Sequence, residues 1–358
     1  MIALTKTAKT MLRCLLILAG GMVLYGIVPM TATAGTARVF ILHSYEAGHV
    51  CGQPQADGVL TALDTEGFTP GKTLTVAHWF MDTKRTHVTP EAVAARAKTA
   101  LDRIREFKPD LLVTIDDTAF KHVGLKLVDT DVAVVFSGMN NQPENYHRLI
   151  PVFESRTHPR HNVTGVYELL HINDAIRVHG KIFNRTSKTQ VIVDRESPTG
   201  KAIRRQAELE LEGLPEALWD IAVVGSVAEY RAALEAANRD DAVGAIYPVA
   251  LVLKDQAGEI WDAARIFKLT LEVSRKPELA LNYAFCKMGL FGGAAVDFRA
   301  MGVQAGMKAA AILKGADPGT IPLEDARDYA LAFNLKRARQ LNINIPEEIL
   351  AASDDIFF

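Results

Sequence analysis

Cysteine is scarce in this chain of 358 residues, which contains three. So few thiols exclude a small domain held together by disulfides, and the absence of a Cys-x-x-Cys pair argues against a structural zinc site. An excess of positive charge is also missing, because 40 lysines and arginines stand against 42 aspartates and glutamates. The sequence therefore predicts no binding to nucleic acid or to an anionic membrane.

Short catalytic motifs are missing as well. The chain has no phosphate-binding Gly-x-x-x-x-Gly-Lys-Ser/Thr, no Gly-x-Gly-x-x-Gly after a strand, no Gly-x-Ser-x-Gly and no His-Glu-x-x-His. We therefore predict no catalytic residue, no cofactor and no metal ion. Two alternatives stay open: an exported α/β enzyme that uses Asp116, Asp117 and His43, and a metal site formed by His43, His49 and Cys51.

Long apolar runs are absent except at the N-terminus. Three basic residues, the last of them Arg13, precede the uncharged stretch 14–30, and an Ala-Thr-Ala sequence ends at Ala34. This pattern predicts a signal peptide over residues 1–34, cleaved after Ala34, and hence a periplasmic protein. An uncleaved membrane anchor is the alternative, because the run approaches the ~20 residues that span a bilayer.

Two cysteines remain after such cleavage, in a compartment that permits disulfides. Cys51 and Cys286 are far apart in the sequence, and the sequence leaves open whether they pair.

Short apolar runs alternate with amphipathic patterns along the rest of the chain. Runs of branched apolar residues indicate strands that are covered on both faces, and apolar residues at 3.6-residue spacing indicate helices. The predicted strands are 38–43, 111–115, 132–136, 189–193, 221–224 and 242–247, and the predicted helices are 55–66, 91–107, 118–128, 174–183, 201–212, 226–238 and 298–314. The alternation predicts an α/β fold with open parallel sheets flanked by helices.

The length favours two lobes, because one sheet does not comfortably hold all these units in a single core. A polar stretch with two prolines, Pro151–His161, marks the division. We predict that residues 35–160 and 292–320 form the first lobe and that residues 161–291 and 321–358 form the second. Two such lobes joined by short crossings would make a hinged clamshell.

Polar residues follow several of the predicted strands, at the edge where open parallel sheets bind ligands. Hydroxyls and amides at helix N-termini suit an anion, carboxylates suit an ammonium, and tyrosines offer flat apolar walls. The candidate ligand-binding residues are Ser44, Tyr45, Asp116, Asp117, Ser137, Asn140, Ser197, Thr199, Tyr247 and Asp297. Helix capping by Asp117 and Ser197, and packing by Tyr45 and Tyr247, are alternative roles that stay open.

An ordered set of short segments carries a family resemblance. In chain order the segments are 43–45, 108–117, 136–140, 162–166, 197–200 and 293–297 with Gly302 and Gly306, followed by 321–322, Asn334 and 345–346. With these segments the chain resembles the periplasmic substrate-binding proteins of ABC transporters, in the branch that includes aromatic-amino-acid binding components. The loop 46–54 lacks the tryptophan of many relatives, so the chain resembles a distinct subgroup.

The resemblance implies a two-lobe fold of the type I periplasmic-binding class, with the candidate residues facing the cleft. It also implies a function: a monomeric solute-binding component of an ABC uptake system, which passes a small molecule to a membrane permease. The expected ligand is an amino acid or a related zwitterion, bound by hinge closure. The alternative is a periplasmic protein that presents its ligand to a membrane sensor kinase or cyclase.

Overall fold

The computed structural model describes residues 36–141 and 143–358, so the predicted signal peptide and its alternative, a membrane anchor, lie outside the described residues. Among the helices within these residues, none has the length and hydropathy needed to cross a bilayer.

Strands and helices alternate over most of the described chain. The strands are β1 Ala37–His43, β2 Leu74–Phe80, β3 Leu111–Ile115, β4 Ala133–Met139, β5 Val163–Tyr167, β6 Lys188–Asp194, β7 Trp219–Val224, β8 Val243–Pro248, β9 Leu253–Lys254, β10 Ile260–Trp261, β11 Gly292–Val296, β12 Glu324–Asp325, β13 Tyr329–Asn334 and β14 Asp355–Phe357. The α-helices are α1 Gly52–Thr65, α2 Pro90–Phe107, α3 Asp116–His122, α4 Pro143–His147, α5 Ile172–Phe183, α6 Pro198–Leu211, α7 Val227–Arg239, α8 Ala263–Val273, α9 Tyr283–Lys287, α10 Phe298–Leu313, α11 Leu335–Gln340 and α12 Glu347–Ala351. Short 3₁₀ turns lie at Gly124–Leu127, Glu216–Leu218 and Pro318–Thr320.

A parallel sheet with the strand order β12-β5-β4-β3-β1-β2 forms the first part of the fold. All its neighbouring strands run parallel. In its register His43 lies opposite Ile115, and Ile115 lies opposite Ser137. The carboxyl ends of β1, β3 and β4 therefore meet at one edge, with β5 ending beside them.

Both faces of this first sheet are covered, which explains its continuous apolar runs. Alternate residues of β1 enter different apolar clusters: Val39 and Ile41 pack on one side, Phe40 and Leu42 on the other. On the first side α1 packs closely on α10. Glycine allows this approach, because a Cβ at Gly302 would lie 2.0 Å from the backbone O of Gln55.

The second part of the fold contains two smaller sheets of three strands each, besides the antiparallel pair β9 and β10. One is the parallel sheet β7-β6-β8, and the other has the order β11-β13-β14 with β11 antiparallel to β13. The chain passes between the first sheet and these sheets after β5, again between β11 and α10, and once more between β12 and β13.

The predicted α/β fold with parallel sheets flanked by helices is confirmed, and each of the predicted strands is present. The predicted helix 118–128 is shorter than expected, because α3 ends at His122 and a 3₁₀ turn follows. The strands β2, β5, β11 and β13 were not predicted. Their sequences lack a continuous run of branched apolar residues: β5 reads VTGVY, β11 reads GGAAV and β13 reads YALAFN.

Candidate functional site

The candidate site lies where the strands of the first sheet end. Ser44 follows β1, Asp116 follows β3, Ser137 lies near the end of β4, and Glu168 follows β5. Because these strands are neighbours and parallel, the four residues converge on one edge, as the sequence predicts for the first three. We call the group Asp116, Asp117 and Glu168 the acidic edge.

Asp116 has an unusual backbone conformation and an unsatisfied side chain. Its φ is 64°, in the left-handed region that non-glycine residues rarely adopt. The side chain is buried; Oδ1 lies 3.5 Å from Nε2 of Gln55, and Oδ2 has no hydrogen-bond partner within the described chain. Burial raises its pKa to about 7, although Lys84 acts in the opposite direction. Backbone strain and an unpaired buried carboxylate mark functional positions.

Gln55 links α1 to the strand ends. It is fully buried, and its Oε1 accepts a hydrogen bond from the hydroxyl of Ser137 at 2.7 Å while its Nε2 faces Asp116. Gly138, with φ of 77°, lies against the same amide, where a Cβ would be 2.6 Å from Oε1. The amide of Gln55 therefore fixes the relative positions of Asp116 and Ser137.

Asp117 is satisfied by the protein itself. Its carboxylate accepts hydrogen bonds from the backbone N–H groups of Asn140 and Asn141 and from the hydroxyl of Tyr146. Burial nevertheless raises its pKa. Asp117 is thus held in place next to Asp116 by neutral donors, and Asn140 contributes its backbone N–H to this arrangement.

Glu168 completes the acidic edge. It is 6% exposed, and burial followed by the charges of Asp116 and Asp117 raises its pKa well above the usual range. Its backbone N–H donates to the carbonyl of Met139, and its backbone carbonyl accepts from Nε2 of Gln206. Within the described residues its carboxylate forms no hydrogen bond or ion pair.

The ring of Tyr45 forms a cation–π contact with the ammonium group of Lys84. The Nζ of Lys84 lies 3.8 Å from the ring centroid, and the ring of His49 lies 4.4 Å away. Burial lowers the pKa of His49 to about 4 and that of His43 to about 3, so both histidines are neutral at pH 7. Lys84 is therefore the cation that faces the acidic edge, although its ammonium forms no ion pair with it among the described residues.

Ser44 has a structural role in addition to its predicted one. Its hydroxyl donates to the carbonyl of Ile115 at 2.7 Å and accepts from the backbone N–H of Ala119 at 2.8 Å. These bonds attach the start of α3 to the end of β1. Its ligand contact remains a prediction.

Of the four remaining predicted residues, three lie at the second part of the fold, and Asp297 lies between β11 and α10. The hydroxyl of Ser197 caps α6 and donates to Asp194, with half-buried Thr199 in the next turn. Tyr247 is fully buried, with its hydroxyl 3.5 Å from the carbonyl of Leu170. Asp297 caps α10 through the backbone N–H of Ala300. The contacts of Ser197 and Asp297 are those of helix caps.

A groove of about 750 Å³ separates α4 from α6 and is lined by Glu144, Asn145, Arg148, Arg156, Leu169, Arg205, Gln206, Leu209, Glu210 and Asp325. Glu210 accepts hydrogen bonds from the backbone N–H groups of Leu170 and Ile172, where the chain leaves the first sheet. Burial raises the pKa of Glu210 to about 7. The groove therefore adjoins the first crossing between the sheets.

No group of three His, Cys, Asp or Glu side chains within residues 36–141 and 143–358 is arranged to hold a metal ion. His43 instead faces His78, with Nε2 and Nδ1 3.2 Å apart. Cys51 and Cys286 are both free thiols, so the open question of their pairing is answered by the structure.

Two residues of the site were missed by the sequence analysis. Glu168 follows β5, and Lys84 lies in the loop after β2; neither strand was predicted. Recognition of the polar-interrupted strand VTGVY would have placed Glu168 at the same edge as Asp116.

Several solved structures share this fold. A conserved domain protein from Vibrio cholerae is 21% identical with a TM-score of 0.63, covering 90% of this chain and 99% of that one. A domain from Streptococcus pneumoniae, solved in complex with L-Trp, is 19% identical with a TM-score of 0.61, covering 90% and 100%. An open, ligand-free substrate-binding protein with adhesive properties from Clostridium difficile is 14% identical with a TM-score of 0.68, covering 90% and 99%. At these identities the likeness shows the fold.

The sequence itself shows the family. Residues 49–356 match the family described as ABC transporter substrate binding protein, and the chain belongs to that family. The resemblance stated from the short segments is thereby confirmed at the level of the family. A comparison with curated proteins gave no match.

Proposed function

We propose that this chain is the periplasmic solute-binding component of an ABC uptake system and that it binds a small molecule without chemically changing it. The observation that carries the proposal is the buried Oδ2 of Asp116, which lacks a partner among the described residues at the edge where parallel sheets bind ligands. Membership of the family supports transport over the sensor alternative.

The proposed binding step is closure of two lobes about the crossings that follow β5, β11 and β12. The first lobe would contain the six-stranded sheet, and the second would contain the two smaller sheets. This division assigns β5 and β12 to the first lobe and β11 to the second, whereas the boundaries 35–160 with 292–320 and 161–291 with 321–358 assign them the other way. In the closed form the start of α6, with Ser197 and Thr199, would approach the acidic edge. A ligand that touches both lobes stabilises the closed form, which a membrane permease then recognises.

We propose an amino acid or a related small molecule with an ammonium group as the ligand. Asp116 would accept hydrogen bonds from the ammonium, and the ring of Tyr45 would form one wall. The pneumococcal relative was solved with L-Trp, which supports an amino acid without fixing its identity. The proposal includes export by the signal peptide, cleavage after Ala34, a monomeric state and an inner-membrane permease as partner.

A thermal melting series tests this function. The mature chain is melted with each of the common L-amino acids and a set of small metabolites at millimolar concentration, because a compound that binds the folded state raises Tm. We expect at least one compound to raise Tm for the native chain and for Asp131→Asn, which changes an exposed carboxylate. Asp116→Asn should lose most of the shift. A series with no shift, together with no small molecule in a native mass spectrum, contradicts the proposed function.

A further inference from the structure

We propose that the molecule bound at the acidic edge is an organic cation with net positive charge, carrying an ammonium or guanidinium group, and that Lys84 stands in for this cation in the unliganded protein. The inference rests on the proposed function, because it names the ligand class of the same site. It follows from charge balance and from the kind of polar group that is left unsatisfied.

No ion pair within the described residues holds the carboxyl groups of the acidic edge. Asp117 is held by three donors, all of them neutral. Asp116 and Glu168 are each more than nine-tenths buried, and no lysine or arginine of the described chain lies within 4.0 Å of either carboxylate. Burial of carboxylates without a cation is costly, so the site gains most from a ligand that brings positive charge.

Three of the unsatisfied side-chain atoms around the edge are acceptor oxygens. Oδ2 of Asp116, Oε2 of Glu46 and Oε1 of Gln206 are buried without a hydrogen-bond partner in the described residues. Gln206 is 4% exposed, and its Nε2 is already used by the backbone carbonyl of Glu168. Ammonium and guanidinium groups donate several hydrogen bonds and accept none. A donor-rich cation therefore complements these three oxygens.

Lys84 shows where a cation is accommodated. It is exposed, in the loop after β2, and its Nζ lies over the face of Tyr45 at 3.8 Å, a position typical of a cation–π contact. Its charge lowers the pKa of Asp116, Asp117 and Glu168, so its field reaches all three carboxylates. A ligand cation that enters beside Tyr45 would compete with Lys84 for the same field.

The role of Lys84 distinguishes a net cation from a neutral zwitterion. A zwitterion brings its own carboxylate to an edge that is already acidic. Lys84 is the nearby cation that could form an ion pair with this carboxylate. Loss of the Lys84 charge would then weaken binding. For a net cation the lysine is a competitor, and loss of its charge would strengthen binding.

Calorimetric titration of the mature chain tests the inference with four probes. Putrescine and L-arginine carry net positive charge, and L-tryptophan and L-glutamine are neutral zwitterions. The variants are Lys84→Met, Lys84→Arg as the charge-conserving control, and Lys72→Met as a control at an exposed lysine of the first part of the fold. We expect a cationic probe to bind, Lys84→Met to tighten it about 3–10-fold, and both controls to leave Kd within about twofold.

Other outcomes overturn the inference in distinguishable ways. Binding of a zwitterionic probe that Lys84→Met weakens, or a neutral or anionic compound in the native mass spectrum, refutes the net cation and leaves the proposed function intact. If no probe binds and no compound co-purifies, both the inference and the proposed function are contradicted. A cationic probe whose Kd is unchanged by Lys84→Met refutes the stand-in role.

Discussion

Asp116 shows at the scale of one residue how the fold positions the carboxylate that we propose as a ligand-binding group. A left-handed backbone at the end of β3 turns its carboxylate into a buried position where one oxygen lacks a partner. Such an arrangement costs folding free energy, as expected of a residue that we propose binds a ligand. The same cost has a pH dependence that can be measured without knowing the ligand.

The predicted effect concerns Asp116→Asn. The pKa of the Asp116 carboxyl is about 7 in the folded protein, against a usual value of 3.8. Between these two pH values the folded protein therefore binds more protons than the unfolded protein. The free energy of unfolding contributed by this group therefore falls as pH rises through that window. Asparagine stays neutral and tolerates the left-handed backbone. We expect the variant to be about 1–3 kcal/mol more stable than the native chain at pH 8 and equal to it near pH 4.

Urea unfolding at several pH values measures this difference. Asp131→Asn, at an exposed position, should follow the native curve throughout. Glu210 has a pKa of about 7 as well, so part of the native pH dependence should remain in the Asp116 variant. A variant whose stability changes with pH in the same way as the native chain would contradict the assignment of Asp116.

The two thiols give a second residue-scale prediction. Cys286 is buried with its Sγ 3.4 Å from the carbonyl of Ala332, and burial raises the pKa of both Cys51 and Cys286. Because the thiolate is the reactive form, we expect slow alkylation of the folded protein by iodoacetamide and fast alkylation in guanidinium chloride. Mass spectrometry of the intact chain counts the labels. A mass that lacks two hydrogens and takes up no label would reveal a disulfide instead.

At the scale of elements, the contact between α1 and α10 supports the site from behind. Gln55 lies on α1, and its backbone O approaches Gly302 of α10 so closely that a methyl group has no room. Gly302→Ala should force the helices apart and lower the free energy of unfolding by about 1–3 kcal/mol. The shift of Gln55 should also weaken binding of any compound that raises Tm.

Gly213→Ala is the matched control, because a Cβ at Gly213 meets no atom within 4 Å. The control should be neutral or slightly stabilising, since alanine restricts the unfolded chain. Chemical denaturation of the two variants at one pH compares them directly. Equal stability of Gly302→Ala and Gly213→Ala would show that the helix contact is not as tight as the structure has it.

Elements also explain what the sequence could predict. The strands β1, β3 and β4 are buried and their sequences are mostly apolar, so they were predicted and led to Ser44, Asp116 and Ser137. The strand β2 carries His78 and has exposed positions, and β5 carries Gly165, where Phe136 leaves no room for a side chain. Such strands depend on their neighbours for stability, and local pattern does not identify them.

The missing strands account for the missing site residues. Glu168 follows β5, and Lys84 follows β2, so neither could be assigned to the edge before the sheet order was known. A sequence also does not show which side-chain atoms have hydrogen-bond partners. The sequence could not distinguish Asp117, whose oxygens are used by three donors, from Asp116, whose Oδ2 is left without one among the described residues.

At the scale of the whole molecule, the account requires two lobes that move. The first sheet and the two smaller sheets are joined by short crossings, and Glu210 of α6 holds the first crossing through two backbone N–H groups. Short crossings with fixed ends allow rotation of one lobe against the other and restrict other motions. Ligand binding at the acidic edge would then change the shape that a permease recognises.

Small-angle scattering of the mature chain tests this claim most directly. The radius of gyration is measured alone and with a saturating concentration of whichever compound raises Tm most in the melting series, with Asp116→Asn under identical conditions as the control. The account predicts that the compound compacts the native chain and leaves the variant unchanged. A native chain that is saturated with the compound yet keeps its radius of gyration would contradict closure of the two lobes around a ligand.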